Sequence, residues 1–180
     1  NHFIGALMDK EKILNAIRTI PDFPVTGIQF KDITTLLMDI DAFRESLKIL
    51  SNNLSKISID TILGIESRGF IFGAPLALEL NCPFAIARKP GKLPGETISI
   101  EYDLEYGTDK IEIHKDAIND GDRVLIIDDL IATGGTAKAV GKLVQDAGGQ
   151  IASYAFLINL TDLNGADELV PNPVFSVLEI

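Results

Sequence analysis

The chain has 180 residues, 46% of them apolar and 23% charged, with 16 Lys and Arg against 26 Asp and Glu, a formal net charge of −10. That balance argues against a surface that coats nucleic acid or an anionic membrane, because both select a surplus of Lys and Arg. The charge is uneven, however: residues 1–92 carry 11 basic and 10 acidic residues and residues 93–180 carry 5 and 16, so a local anion site in the first half is compatible with the composition.

Residues 1–8 have no basic flank of the signal-peptide kind and read as a lead-in or an expression remnant. Ile13, Leu14, Ile17 and Ile20 recur at helical spacing, and Pro21 predicts the end of that helix. A turn-rich loop, Pro21-Asp22-Phe23-Pro24 with Gly27, follows. A second helix is predicted over 42–54, with Asp41 as its N-cap and Phe43, Leu47 and Leu50 on its buried face.

The pattern then changes. Residues 61–65 form a short apolar strand, 69–80 a helix and 83–87 another strand. Cys82, between the last two, is the single cysteine, so no intramolecular disulfide can form. With only two histidines a Cys/His zinc site is not expected, and Cys82 reads as a small buried hydrophobe. A Gly/Pro loop spans 90–96. Residues 97–102 and 110–114 alternate at period two around Glu105-Tyr106-Gly107, a hairpin signal. Residues 124–127 predict a fully apolar strand, 135–145 a helix, 151–158 a strand and 175–178 a last strand. No apolar run approaches the ~20 residues of a membrane span.

Strand–helix–strand alternation with continuous apolar strands predicts an α/β fold. It is an open, mostly parallel twisted sheet flanked by helices, forming a single domain over 1–180. The hairpin breaks this rhythm and should project from the sheet's edge.

The sharpest local feature runs from Val124 to Thr136, Val-Leu-Ile-Ile-Asp-Asp-Leu-Ile-Ala-Thr-Gly-Gly-Thr. An apolar strand ends in two acids, Asp128 and Asp129, and a small-residue loop leads into a helix. Open α/β sheets bind ligands at such a junction. The loop Ala132, Thr133, Gly134, Gly135 and Thr136 can turn backbone N–H groups toward a phosphate where the helix dipole favours negative charge. It is not a P-loop, because the Gly-Lys-Ser/Thr element is missing. Two carboxylates beside a phosphate cradle make sense if they face hydroxyls or Mg²⁺, which points to a phosphorylated sugar.

This string resembles the phosphoribosyl-pyrophosphate (PRPP) signature of the type I phosphoribosyltransferases. The resemblance runs from about Pro21 to the C-terminus and is closest to their adenine branch. It includes Pro21-Asp22-Phe23-Pro24, Glu66-Ser67-Arg68-Gly69-Phe70, Arg88-Lys89, Gly91-Lys92-Leu93-Pro94-Gly95 and Leu104-Glu105-Tyr106-Gly107. It implies transfer of ribose 5-phosphate from PRPP to adenine with Mg²⁺, giving AMP and pyrophosphate. It further implies a purine salvage enzyme working as a homodimer, with helices 42–54 and 69–80 as candidate packing faces; a cytoplasmic location is the default expectation from the sequence. The same reaction on another base, or a PRPP-binding module without catalysis, are the alternatives.

The resemblance assigns roles residue by residue. Pyrophosphate falls to Glu66, Ser67, Arg68, Arg88, Lys89 and Lys92. Independently of the family, the basic members of this set follow two predicted strands and suit phosphate oxygens. Glu105 is implied as the catalytic acid/base and Tyr106 as a closing residue, both in a lid hairpin over 94–112. A hood segment over 20–35 is implied to cover the base, with Gln29, Phe30 and Lys31 as adenine-binding residues and Phe30 able to stack. Asp128 and Asp129 are assigned to the ribose and, with PRPP, to Mg²⁺. Lys31 and Pro90 stand where the family often has Arg. Asp109, Glu112 and Asp116 are expected to be mostly solvated surface.

Overall fold

The computed structural model describes residues 2–104 and 107–180, with residues 2–8 described by backbone alone. The chain divides into two compact units, 1–50 and 51–180.

In the first unit, α1 (His2–Ala16) packs on α2 (Thr34–Met38), and β1 (Arg18–Pro21) pairs antiparallel with β2 (Gln29–Asp32). The predicted first helix therefore stops four residues before Ile20, which lies in β1. The hairpin is clipped at its open end: Arg18 and Asp32 are cross-strand partners, and the Arg18 guanidinium reaches the Asp32 carboxylate at 2.5 Å. Asp32 also accepts from the backbone N–H and the hydroxyl of Thr34 at 2.9 and 2.7 Å. These bonds, Thr34's first and Arg18's next, lower its carboxyl to about 2.

The third helix, α3 (Ile40–Leu54), begins two residues earlier than predicted. Its cap is Asp39, not Asp41: Asp39 Oδ1 accepts from the backbone N–H groups of Asp41 and Ala42, both at 3.1 Å. Its buried stripe is also shifted. Ala42, Ser46, Leu50 and Leu54 are buried at i, i+4 spacing, whereas Phe43 and Leu47 are half-buried. Ser46 is tolerated there because its hydroxyl donates to the Ala42 carbonyl at 2.7 Å.

The second unit holds a five-stranded, all-parallel sheet in the order β4-β3-β7-β8-β9. The strands are β3 (Thr61–Ile65), β4 (Phe84–Ala87), β7 (Arg123–Ile131), β8 (Gln150–Asn159) and β9 (Val174–Glu179). Helix α4 (Gly69–Leu80) packs on β3, β4 and β7, and α5 (Gly135–Asp146) packs on β7 and β8. Leu63, Ile65, Val124, Ile126, Val140, Leu143, Tyr154 and Phe156 are buried together. Cover on both faces explains why β3 and the centre of β7 are unbroken apolar runs. Cys82 is half-buried, not core. Its Sγ lies 3.5 Å from the Leu80 carbonyl, and burial, with Asp60's charge, pushes the thiol up.

The hairpin β5 (Thr97–Asp103) and β6 (Thr108–His114) stands apart as its own two-stranded sheet. It joins the edge of the main sheet just past β4, where Arg88 and Glu112 exchange backbone hydrogen bonds at 2.9 and 2.8 Å. Its β5 strand packs on α5. Short 3-10 turns at Thr161–Leu163 and Gly165–Leu169, which lack helical periodicity, link β8 to β9.

Candidate active site

Because β3, β4 and β7 are parallel, their C-terminal ends lie along one edge of the sheet. That edge gathers Glu66 to Arg68 after β3, Arg88 and Lys89 after β4, and the Asp128–Thr136 string, which runs from the end of β7 into α5. Strand β7 runs on to Ile131, so the two acids lie inside the strand and not just beyond it.

The two neighbouring carboxylates meet different partners. Asp129 is 4% exposed, and its Oδ2 accepts from Arg68 Nε at 2.6 Å. Asp128 accepts from the Asp129 backbone N–H at 2.8 Å and lines a cavity of about 530 Å³. Burial, and then the charge of Asp129, push the Asp128 carboxyl well above its usual range.

The same cavity is walled by all five residues of the predicted cradle, Ala132 to Thr136. Gly134 is the N-cap of α5 at φ +85° and, having no side chain, makes no cap hydrogen bond to the first backbone N–H groups of the helix, which suits them to a ligand. A Cβ on Gly134 would sit 2.4 Å from the Gly165 carbonyl oxygen, and one on Gly165 would sit 2.2 Å from that of Ala132. The 3-10 turn at Gly165 therefore buttresses the cradle from behind. Sequence reasoning missed Gly165, although Asn164-Gly165 is an ordinary turn signal.

The basic cluster is organised by a carboxylate. Glu66 Oε2 accepts from the Lys89 backbone N–H at 2.7 Å, and Oε1 accepts from the Lys92 ammonium. Arg88 Nε lies 3.4 Å from Oε2 as an ion pair. This buried Nε has no hydrogen-bond partner among the described residues. Burial alone would raise the Glu66 carboxyl, but Lys92, the Lys89 amide and Arg88 together bring it below its usual range. Ser67 is exposed beside this group.

Asp109 is not the solvated surface acid expected from the sequence. It holds the Lys89 ammonium and accepts from the Tyr102 hydroxyl at 3.4 Å. The Lys89 bond comes first in lowering the Asp109 carboxyl, and on Lys89 the ion pair outweighs the opposing effect of burial. Glu112 is half-buried and Asp116 is exposed.

In the first unit, Gln29 is exposed and Phe30 meets the Phe23 ring edge-on at 5.1 Å. Lys31 donates to the Thr19 hydroxyl at 3.1 Å. Glu105 and Tyr106 lie outside the described residues.

An anion cradle, a carboxylate pair and a basic cluster along one sheet edge can hold a ligand with anionic groups at both ends and hydroxyls between them. A family profile described as a phosphoribosyl transferase domain matches residues 30–179. This chain belongs to the phosphoribosyltransferase family.

Among phosphoribosyltransferases, an adenine phosphoribosyltransferase of Chloroflexus aurantiacus is 54% identical over 172 residues, 96% of this chain and 99% of that protein. The crystal structure of an adenine phosphoribosyltransferase from Thermoanaerobacter pseudethanolicus superposes with a TM-score of 0.93 at 51% identity, covering 95% of this chain and 99% of that one. The Saccharomyces cerevisiae enzyme, solved with adenine and D-2,5-dideoxy-2,5-imino-altritol 1,6-bisphosphate, gives 0.91 at 39% identity, covering 96% and 99%.

Proposed function

We propose that this phosphoribosyltransferase is a purine salvage enzyme that transfers ribose 5-phosphate from PRPP to adenine, giving AMP and pyrophosphate. The observation that carries this reading is the α5 N-terminus, whose N-cap Gly134 has no side chain, behind Asp128 and Asp129 and on the same sheet edge as the basic cluster. The relatives with that name add support through identity over nearly the whole chain.

On this reading Ala132 to Thr136 receive the 5-phosphate through backbone N–H groups and the two threonine hydroxyls. Asp128 and Asp129 face the ribose hydroxyls. Glu66, Ser67, Arg68, Arg88, Lys89 and Lys92 receive the pyrophosphate. Arg88 Nε, ion-paired with Glu66 but without a hydrogen bond among the described residues, supports that role, since a buried donor gains most from an incoming acceptor. Gln29, Phe30 and Lys31 bind the adenine.

In the reaction, adenine N9 attacks the anomeric carbon, whose bond to the pyrophosphate oxygen breaks. The electron pair of that bond leaves with pyrophosphate. The N9 proton passes to the Glu105 carboxylate, acting as general base, while Tyr106 helps to exclude water. The basic cluster stabilises the charge that builds on the leaving group.

Mg²⁺ is the proposed cofactor. Among the described residues no group of three His, Cys, Asp or Glu side chains could hold a metal by itself. The donor set therefore suits a hard cation carried by PRPP oxygens, with Asp128 and Asp129 as the residues able to add to its shell. Bound there, it would offset negative charge on the pyrophosphate.

The enzyme is also proposed to be cytoplasmic and homodimeric. No helix among the described residues is long and apolar enough to cross a membrane. The α4 side chains of Ala74 and Leu78 are exposed, Leu78 at 85%, which supports a packing face.

Chromatography of a mixture of enzyme, PRPP, Mg²⁺ and adenine should show AMP and pyrophosphate in equal amounts. PRPP binding without nucleotide from any base would instead establish a non-catalytic module. Glu105→Ala should lower kcat by about 10²- to 10⁴-fold with PRPP affinity kept, the range for loss of a general base. Equal loss of affinity would make Glu105 structural.

A further inference from the structure

One hydrogen-bond path runs through the β5–β6 hairpin from the basic cluster to the phosphate cradle. Thr136 Oγ1 donates to the Tyr102 hydroxyl at 3.3 Å, the Tyr102 hydroxyl donates to Asp109 Oδ2 at 3.4 Å, and the Lys89 ammonium donates to the same Oδ2. Tyr102 and Asp109 are directly paired across the hairpin, so their side chains share one face of it. Both are half-buried. The path thus links Lys89, after β4, with Thr136, in the first turn of α5, through two residues that no role above uses.

Its two ends are groups that the substrate must take over. Thr136 has one hydroxyl proton, and in this arrangement it points to Tyr102, so a phosphate in the cradle must draw it away. Lys89 is held by Asp109, so a pyrophosphate must compete with that carboxylate for it. Hydrogen bonds in a chain polarise one another. Tyr102 and Lys89 both donate to the same Oδ2, so they compete for its charge: without Thr136's donation the Tyr102 hydroxyl becomes a poorer donor, Asp109 keeps more of its charge, and Lys89 is held more tightly. Without Lys89 the Tyr102–Asp109 bond strengthens, and Tyr102 in turn holds Thr136 more tightly. Whatever one anion does to the other's affinity must be returned in equal measure.

We propose that Tyr102 and Asp109 are positioning residues that couple the two anion subsites, so that filling the cradle hinders pyrophosphate binding at Lys89 and the reverse. This rests on the reading of Ala132–Thr136 and Lys89 as anion subsites, and it adds an internal competitor, the Asp109 carboxylate, to that reading. Asp109 keeps Lys89 paired until a stronger multidentate anion arrives, and Tyr102 reports to it whether the cradle is filled.

Calorimetric titration of the intact protein with Mg²⁺ and inorganic pyrophosphate, with and without saturating ribose 5-phosphate, tests the coupling. In the wild type, ribose 5-phosphate should raise the pyrophosphate Kd by about 3- to 10-fold, the scale of one net hydrogen bond. Tyr102→Phe keeps the ring but should bring that ratio to within about twofold of one. Asp109→Asn should bind pyrophosphate about 3- to 10-fold more tightly than wild type when ribose 5-phosphate is absent, because Lys89 is released, with little change on adding it.

An unchanged ratio in Tyr102→Phe would overturn the proposal. So would weaker pyrophosphate binding in an Asp109→Asn protein that melts like the wild type. If the wild type binds both anions independently, the subsites stand and the coupling falls. If it binds neither, the subsite reading falls and takes the coupling with it.

Discussion

Gly134 concentrates the demands on the proposed phosphate cradle in one residue. Its φ of +85° is costly for any residue with a Cβ, and a Cβ there would meet the Gly165 carbonyl at 2.4 Å. Gly134→Ala should therefore weaken PRPP binding by at least about tenfold, since the strain of about 1–2 kcal/mol falls on the loop that supplies the donors. Binding at wild-type affinity would show that the cradle tolerates a different backbone. At this scale the sequence was legible wherever the chemistry was local: Asp128 to Thr136 are contiguous, and all but Asp129 line one cavity. Asp129 is instead engaged by Arg68, a partner 61 positions away. Asp109 escaped for a related reason. Its pairing with Lys89 depends on the hairpin register and on the Arg88–Glu112 junction, and neither leaves a mark on the residues around Asp109.

At the scale of elements, strands buried on both faces were the easiest to read. β3 and β7 appear as apolar runs because α4 and α5 cover opposite sides of the sheet. β1 and β2 could not be read that way. Each has four residues, none of them buried, and Ile20 continues the helical spacing of Ile13 and Ile17 by coincidence. What holds that small hairpin includes the Arg18–Asp32–Thr34 cluster. Because the Asp32 carboxyl is lowered in the folded protein, its contribution is present above the ordinary carboxylate pKa and is lost as pH falls from about 4 toward about 2. The stability difference between wild type and Asp32→Asn should thus be constant above pH ~5 and shrink below it, as measured by denaturant melts across pH. A difference that grows in acid would contradict the assignment. The larger hairpin offers a separate test. Glu112 directs both its backbone N–H and its carbonyl to Arg88, so Glu112→Pro should cut the tie to the sheet edge. Hydrogen exchange should speed up through β5 and β6 and stay slow in β3, β7 and β8. Unchanged exchange in the hairpin would show that its packing on α5 is sufficient to hold it.

For the whole molecule, the uneven charge takes on a physical meaning. The acidic stretch after residue 92 supplies Asp129 to Arg68 and Asp109 to Lys89, cations of the nearly neutral stretch before it. The two meet at the edge where the parallel strands end. Net acidity argues against polyanion coating, yet cations suited to a small anion are retained there, each paired with a carboxylate. The central claim is that this edge serves transfer from PRPP to adenine. The most direct measurement is pyrophosphate release with PRPP and Mg²⁺ against a panel of adenine, hypoxanthine, guanine, xanthine and orotate. The account predicts rapid release with adenine and little with the others. Faster release with hypoxanthine or guanine than with adenine would contradict it.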